Sequence, residues 1–420
     1  MRRFLVLALT LALLTGCAPA QPAAAPASSS QPPVQSRQEE PAPPPEPEPI
    51  VSHLMVAGDI MSHTPLTRDA YVKQTDSYDY SHVLRQAANQ LALADYAVAN
   101  LETTLAGGPE YSGYPRFNSP DELACNIKDA GFDLVSTVNN HTRDKGMAGL
   151  FRTLDVLDEA GLAHVGTYRS QEERDTGSGI LVADAGGISI AFLAYTYGLN
   201  GFQLDSDMMY AANLFNLDYT TSLRTPNYEL LEADMSAARA LDTDLIAVIM
   251  HWGGEYRTAQ NSYQEELAQF LVGRGADLVL GGHPHVLQPY DTVTAETPDG
   301  RERQGFVIYS LGNFISNQYF EDNHARDLAT KTTVILDLEL TKDPSGSISL
   351  TDVRYTPYYM LHRNQQPVGQ RRHLVDIHRS MAEYEAGGSE LIDAQSYAAL
   401  QEALELCHQV LGAEGDRPSE

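Results

Sequence analysis

The chain has 420 residues, 43% of them hydrophobic and 20% charged, enough apolar material for a substantial core and too much for a wholly disordered or collagen-like protein. With 28 Lys+Arg against 56 Asp+Glu, its formal net charge of -28 argues against a nucleic-acid backbone as partner and requires local cations or bound metal for any anionic ligand. Three cysteines are too few for a disulfide scaffold.

Met1-Arg2-Arg3 gives a positive start, and Phe4 to Leu14 is almost continuously apolar. That run is shorter than the roughly 20 residues of a membrane-spanning helix and fits the core of a secretory signal. Its ending, Leu14-Thr15-Gly16-Cys17, looks like a bacterial lipoprotein signal. The expectation is a signal peptide over 1–16, cleavage before Cys17, lipidation of its thiol and an extracytoplasmic, membrane-anchored protein. Residues 17–49 are rich in Pro, Ala, Ser, Gln and Glu and end in a run of alternating prolines. Such a segment cannot build a core and favours extended conformers, so it reads as a tether.

From Ser52 onward, short apolar runs alternate with helix-like segments such as 149–160 and 263–274. Leu54-Met55-Val56-Ala57 stops at Gly58-Asp59, and Tyr96-Ala97-Val98-Ala99 stops at Asn100-Leu101-Glu102. The run 132–138 stops at Asn139-Asn140-His141. The run 245–250 stops at His251-Trp252-Gly253-Gly254-Glu255, and 278–280 stops at Gly281-Gly282-His283-Pro284-His285. The alternation predicts an α/β fold, and in such folds sites assemble beyond the carboxyl ends of strands. Five runs that each end in carboxylate, amide or imidazole point to one shared polar site, because Asp, Glu and unpaired His are costly to bury for packing alone.

Oxygen donors from Asp, Glu and Asn together with several imidazoles suit one or two divalent ions such as Zn, Mn or Fe. His283 and His285 stand two apart, so an extended loop directs both the same way. Gly-x-Ser-x-Gly is absent; Gly177-Ser178-Gly179 lacks the spacing of a serine nucleophile elbow. Arg116, Arg143, Lys145 and Arg257 lie near the motifs, either as anchors for an anionic substrate or as solvated charge. Trp252 either walls the site or packs in the core. Strands are also predicted over 188–195 and 306–311, and helices from His373 onward, over 374–384 and 389–411, as a C-terminal cap on a main domain over 50–372. Cys125 and Cys407 stay unassigned, since separation along the chain gives no geometry.

The ordered set Gly58-Asp59-Ile60-Met61, Asn100-Leu101-Glu102, Asn139-Asn140-His141-Thr142 with Asp144 and Gly146, His251-Trp252-Gly253 with Glu255-Tyr256, Gly282-His283-Pro284-His285-Val286 and Tyr309-Ser310-Leu311-Gly312-Asn313-Phe314 resembles the CapA family. That family is known for poly-γ-glutamate capsule synthesis proteins and is related to calcineurin-like metallophosphoesterases. The resemblance implies a four-layer sandwich of two mixed sheets flanked by helices. It implies Asp59 as first metal carboxylate and Glu102 as a bridge between ions. Asn140, His251 and His283 would serve one ion, with His285 joining Asp59 on the other. His141 stands where the phosphoesterases keep a general acid. Their Asp-x-His is here Asp59-Ile60-Met61, which leaves His63 as the nearest substitute ligand.

Three functions follow from the resemblance. One is a hydrolase or transferase of envelope polymer that uses metal-activated hydroxide. A second is a non-catalytic polymer-binding assembly or export component, and the third a nucleotidase-like phosphoesterase. The resemblance implies an anionic polymer such as poly-γ-glutamate and capsule synthase subunits as partners; the lipoprotein signal adds the membrane through Cys17, and the charge balance argues for no nucleic acid.

Overall fold

The computed structural model describes residues 48–177 and 179–418. The predicted signal peptide over 1–16, Cys17 and all of the tether but Glu48 and Pro49 lie outside the described residues, as does Ser178. Among the described residues, no helix is long and apolar enough to cross a membrane.

Two mixed β-sheets lie face to face. The first runs, edge to edge, through Arg372–Asp376, Ile348–His362, Thr332–Lys342, Ile50–Ile60, Tyr96–Leu101, Leu134–Ser136 and Ala163–Val165, with Asn313–Ile315 also paired to Ile50–Ile60. The second runs through Leu287–Glu296, Glu302–Leu311, Leu278–Gly282, Leu245–His251, Ile188–Thr196 and Leu181–Ala185. In the first sheet the strands from Ile50–Ile60 to the edge strand Ala163–Val165 run parallel and those on the other side antiparallel; in the second the four central strands are parallel and both edges antiparallel.

The period-two geometry of a strand explains why the parallel strands read as unbroken apolar runs: both faces are covered. Leu54 and Val56 point into the core between the sheets, with Val98, Ile190, Phe192, Ala247 and Leu280. Met55 and Ala57 point the other way, to Val83 and Leu84 of the helix Ser81–Leu91 and Leu123 and Ile127 of Glu122–Asp129. On the far side, Val248 and Val279 meet Leu231 and Met235 of Tyr228–Ala240 and Leu267 and Leu271 of Ser262–Gly273. Helix, sheet, sheet, helix: the expected four-layer sandwich is present.

Local signals set the helix ends. Asn261 and Gln264 form a reciprocal capping box at the start of Ser262–Gly273. Gly146–Ala160 stops at Gly161, whose φ of 69° is the left-handed conformation that glycine adopts without a Cβ penalty.

The C-terminal region departs from expectation. Residues 372–376 are not helical; Arg372–Asp376 is an outer strand of the first sheet, paired antiparallel with Ile348–His362. Helices follow at Ile377–Glu385 and Ala394–Leu411. The expected boundary at 372/373 therefore falls inside a strand, and the region belongs to the same compact unit as the rest. Cys125 and Cys407 are both free.

Candidate metal centre

Strand register lines up the candidate ligands at one edge of the sandwich. In the first sheet, Asp59 sits level with Asn100 on one side and Asn313 on the other. In the second, His251 is level with Thr196 and Gly282. Glu102 follows directly after Tyr96–Leu101, and His283 directly after Leu278–Gly282. The sheets approach closely here because two positions lack side chains. A Cβ on Gly58 would lie 2.0 Å from the Gly312 carbonyl, and one on Gly282 would lie 2.8 Å from Asp59 Oδ1.

The result is a buried cluster. Ligand-capable atoms of Asp59, Glu102 and His251 lie within 4.8 Å of one another, as do those of Glu102, His283 and His285. Glu102 is common to both groups, the arrangement expected of a bridging carboxylate. The histidines divide differently from the expectation, with His251 and His283 in separate groups although their ring centroids are 4.8 Å apart. His285 Nδ1 is also 3.5 Å from Asp59 Oδ2, and His251 Nε2 is 3.6 Å from Glu102 Oε1.

The electrostatics fit a cation. Asp59 and Glu102 are 0% exposed, and among the described residues neither is paired with Lys or Arg. Two such carboxylates in a low-dielectric interior are unfavourable unless positive charge joins them. Both Glu102 carboxylate oxygens and His283 Nδ1 are buried without any hydrogen-bond partner. Burial first, then the charges of Asp59 and Glu255, push the Glu102 carboxyl well above its usual range. Burial, then neighbouring imidazoles, holds His251 and His283 well below theirs, in the neutral form that binds metal. The loop carrying the histidines is also strained, for His283 and His285 have φ of 95° and 60° without being glycines.

Amides orient the cluster. Asn100 Nδ2 donates to Asp59 Oδ1 at 2.7 Å. Asn313 Nδ2 donates to Gln318 Oε1 and to the Thr330 carbonyl, which turns its Oδ1 toward His285 Nδ1 at 3.0 Å and leaves His285 Nε2 as the lone-pair atom. Asn140 Oδ1 lies 2.9 Å from His251 Nε2. His141 Nδ1 lies 2.7 Å from Asp144 Oδ2, which also accepts the Phe117 amide.

A cleft of about 270 Å³ opens beside the cluster, with His63, His141, Glu255 and His285 among its lining residues. His63 belongs to neither three-residue group. Its Nδ1 accepts the Asn317 amide at 3.2 Å, and burial, then the nearby His285, pushes its pKa down to about 3. Arg116, Arg143 and Arg257 do not line this cleft. Arg116 is exposed over the Phe202 ring, Arg143 donates to the Gln203 carbonyl, and Arg257 is exposed. Trp252 packs fully buried under the second sheet, its Nε1 donating to the Tyr309 carbonyl.

Sequence reasoning missed two residues. Tyr197 lies parallel to the His251 ring and contacts His283, and Asn200 Oδ1 accepts from Asn140 Nδ2. Both follow Ile188–Thr196, a strand recognised as such. Its far end, Tyr197-Gly198-Leu199-Asn200, carries the same strand-then-polar signal as the other five.

Residues 53–318 match the family described as bacterial capsule synthesis protein PGA_cap. The chain belongs to that family. It is 29% identical over 274 residues to the capsule biosynthesis protein CapA of Bacillus anthracis, covering 63% of this chain and 60% of that one. It is 26% identical over 301 residues to the PGA biosynthesis protein CapA of Bacillus subtilis (strain 168), covering 70% of each. The chain thus spans 60% and 70% of the length of these two relatives. Among solved structures, a sulfate thiohydrolase SoxB in complex with glycerol aligns over 87% of this chain and 62% of its own, at 15% identity and a TM-score of 0.38.

Proposed function

We propose that this PGA_cap protein is a metal-dependent hydrolase or transferase of an acidic envelope polymer such as poly-γ-glutamate. It works outside the cytoplasm on a lipid anchor at Cys17, beside capsule synthase subunits. The observation that carries the reading is Glu102: a carboxylate with both oxygens buried and unpartnered, facing Asp59, His251, His283 and His285. Asp59, Glu102, Asn140, His251, His283 and His285 would hold one or two divalent ions, Mn, Zn or Fe by donor type. A bound ion supplies Lewis acidity toward a substrate oxygen. His141 supplies the proton. With Nδ1–H donated to Asp144, its Nε2 is the atom that exchanges a proton with a leaving group in the cleft. Phe117 packs edge-on against the His141 ring, at 4.7 Å between centroids, and fixes its plane.

One observation favours the non-catalytic polymer binder. Met61 fills the position where the phosphoesterase pattern has a ligand histidine, and His63 is engaged with Asn317. Metal content and turnover of γ-glutamyl polymer and model phosphodiesters, measured on wild type, Asp59→Ala, His141→Gln and His283→Ala, separate the readings. The enzyme predicts about one or two ions per chain, lost in the Asp59 and His283 variants. It also predicts turnover about 10²–10⁴-fold lower in His141→Gln with metal retained. Metal without turnover of any substrate leaves the binder.

A further inference from the structure

A second cleft, of about 910 Å³, lies next to the one over the metal cluster and shares Asn317, Tyr319 and Phe320 with it. Its charge runs against the rest of the molecule. Lys and Arg are outnumbered two to one by Asp and Glu over the whole chain. Here Arg68, Lys331, Arg363, Arg371 and Arg372 face three acids, Glu321, Asp327 and Asp393.

Arg372 is the residue that needs explanation. It is 5% exposed, and among the described residues it has no carboxylate within ion-pair distance. Its Nε donates to Asn317 Oδ1 and its Nη1 to the Arg371 carbonyl, both neutral acceptors, and no partner takes Nη2. Asp69 accepts the backbone amides of Arg371 and Arg372, and its charge acts on the Arg372 guanidinium without forming an ion pair with it. The neighbours add positive charge. Lys331 and Arg372 both act on His362, whose Nε2 is buried without a partner. Lys331 itself is matched by Asp327. A buried guanidinium without an ion-paired carboxylate is unfavourable, and so is an orphaned imidazole nitrogen beside it. Both face a cleft large enough for a chain of small units.

We infer that this cleft is an anion subsite in which Arg372, with Arg68 and Arg371 at the rim, holds a carboxylate of the polymer whose neighbouring unit lies at the metal cluster. Asn317 is the hinge between the two places, since its amide donates to His63 in one cleft and its side-chain oxygen accepts from Arg372 in the other. The guanidinium fork matches a carboxylate in a bidentate way, which a lysine at that position would not reproduce. The inference rests on the reading of the substrate as an acidic polymer, and it places the recognition of that polymer away from Arg116, Arg143 and Arg257.

The test is binding of fluorescent poly-γ-glutamate and, in parallel, inorganic polyphosphate to the full-length protein, with metal content and melting temperature recorded for every variant. Arg372→Gln is expected to weaken poly-γ-glutamate binding about tenfold or more with metal content unchanged. Arg372→Lys should recover only part of the loss. Arg68 is exposed and has no side-chain partner among the described residues, so Arg68→Glu keeps the fold and decides the matter should Arg372→Gln not fold; its binding should fall about threefold or more. Wild-type affinity in Arg68→Glu and in folded Arg372→Gln overturns the subsite. Binding of polyphosphate alone, through Arg372, overturns the carboxylate assignment. Failure of the metal reading shows separately, as wild-type protein without bound metal.

Discussion

The strand-end cluster and the network around Arg174 are both buried and both charged, yet they are finished to different degrees. Arg174 Nη2 donates to both oxygens of Asp234 at 2.8 and 2.7 Å, and its Nε donates to Asn213 Oδ1. Tyr195 Oη adds a donor to Asp234 Oδ2. Every charge there meets an opposite charge or a dipole. At the strand ends, two carboxylates and three imidazoles converge, and among the described residues neither Glu102 oxygen has a hydrogen-bond partner. A network completed by its own side chains is architecture; one left short of positive charge could hold a cation.

The largest effect should come from breaking the finished network. Asp234→Ala leaves Arg174 buried without a counter-ion and should cost about 3–5 kcal/mol in chemical denaturation. A cost under ~1 kcal/mol would mean that the network is dispensable and the contrast empty. Glu102→Gln should do the opposite. Without metal it removes an unfavourable buried charge, so the unfolding free energy of the chelated protein should hold or rise. Metal uptake should collapse, read by calorimetry. Equal destabilisation by both variants would put Glu102 in the structural class.

A smaller effect sharpens the role of the amides. Asn313→Ala and Asn100→Ala should each weaken metal affinity about 10–100-fold while metal-free stability changes little. Competition with a chelator measures it, and unchanged affinity would remove those amides from the site.

The smallest effect concerns a finished ion pair near the surface. Asp416 Oδ1 and Oδ2 each lie 2.7 Å from an imidazole Nε2, of His378 and His408 respectively, and tie the tail to both C-terminal helices. The hydrogen bond to Asp416 raises the His378 pKa, and against the push of burial both histidines hold Asp416 below its usual value. The His378 contribution is complete below about pH 6.5 and fades as pH rises through the raised folded value. The Asp416 contribution is complete above about pH 4 and fades as pH falls through the lowered one. Asp416→Asn should flatten both limbs of a stability–pH profile; an unchanged profile refutes the tie.

The five ligand-bearing strands were legible because parallel strands covered on both faces are continuous apolar runs, and each breaks abruptly into Asp, Asn or His. The antiparallel strands Thr332–Lys342 and Ile348–His362 were not, since Asp337, Glu339 and Arg354 interrupt the apolar pattern where the strands lead toward solvent. Residues 374–376 of the strand Arg372–Asp376 read as helix in the sequence because Leu374 and Val375 precede a true helix without a turn signal. Position along the chain named Arg143 as near the site, but only the fold gives the Gln203 carbonyl that occupies it. Conversely, Arg372 lies 313 residues from Asp59 in sequence, and only the strand pairing of Arg372–Asp376 brings it to the same edge.

Asp59 and Glu102 come from one sheet, whereas His251, His283 and His285 come from the other. An ion held among them is a rivet through the seam of the sandwich. Ion binding at this edge and the mechanical cohesion of the two leaves would then be one property, so sequestering the ion should loosen the seam at this edge before either leaf melts.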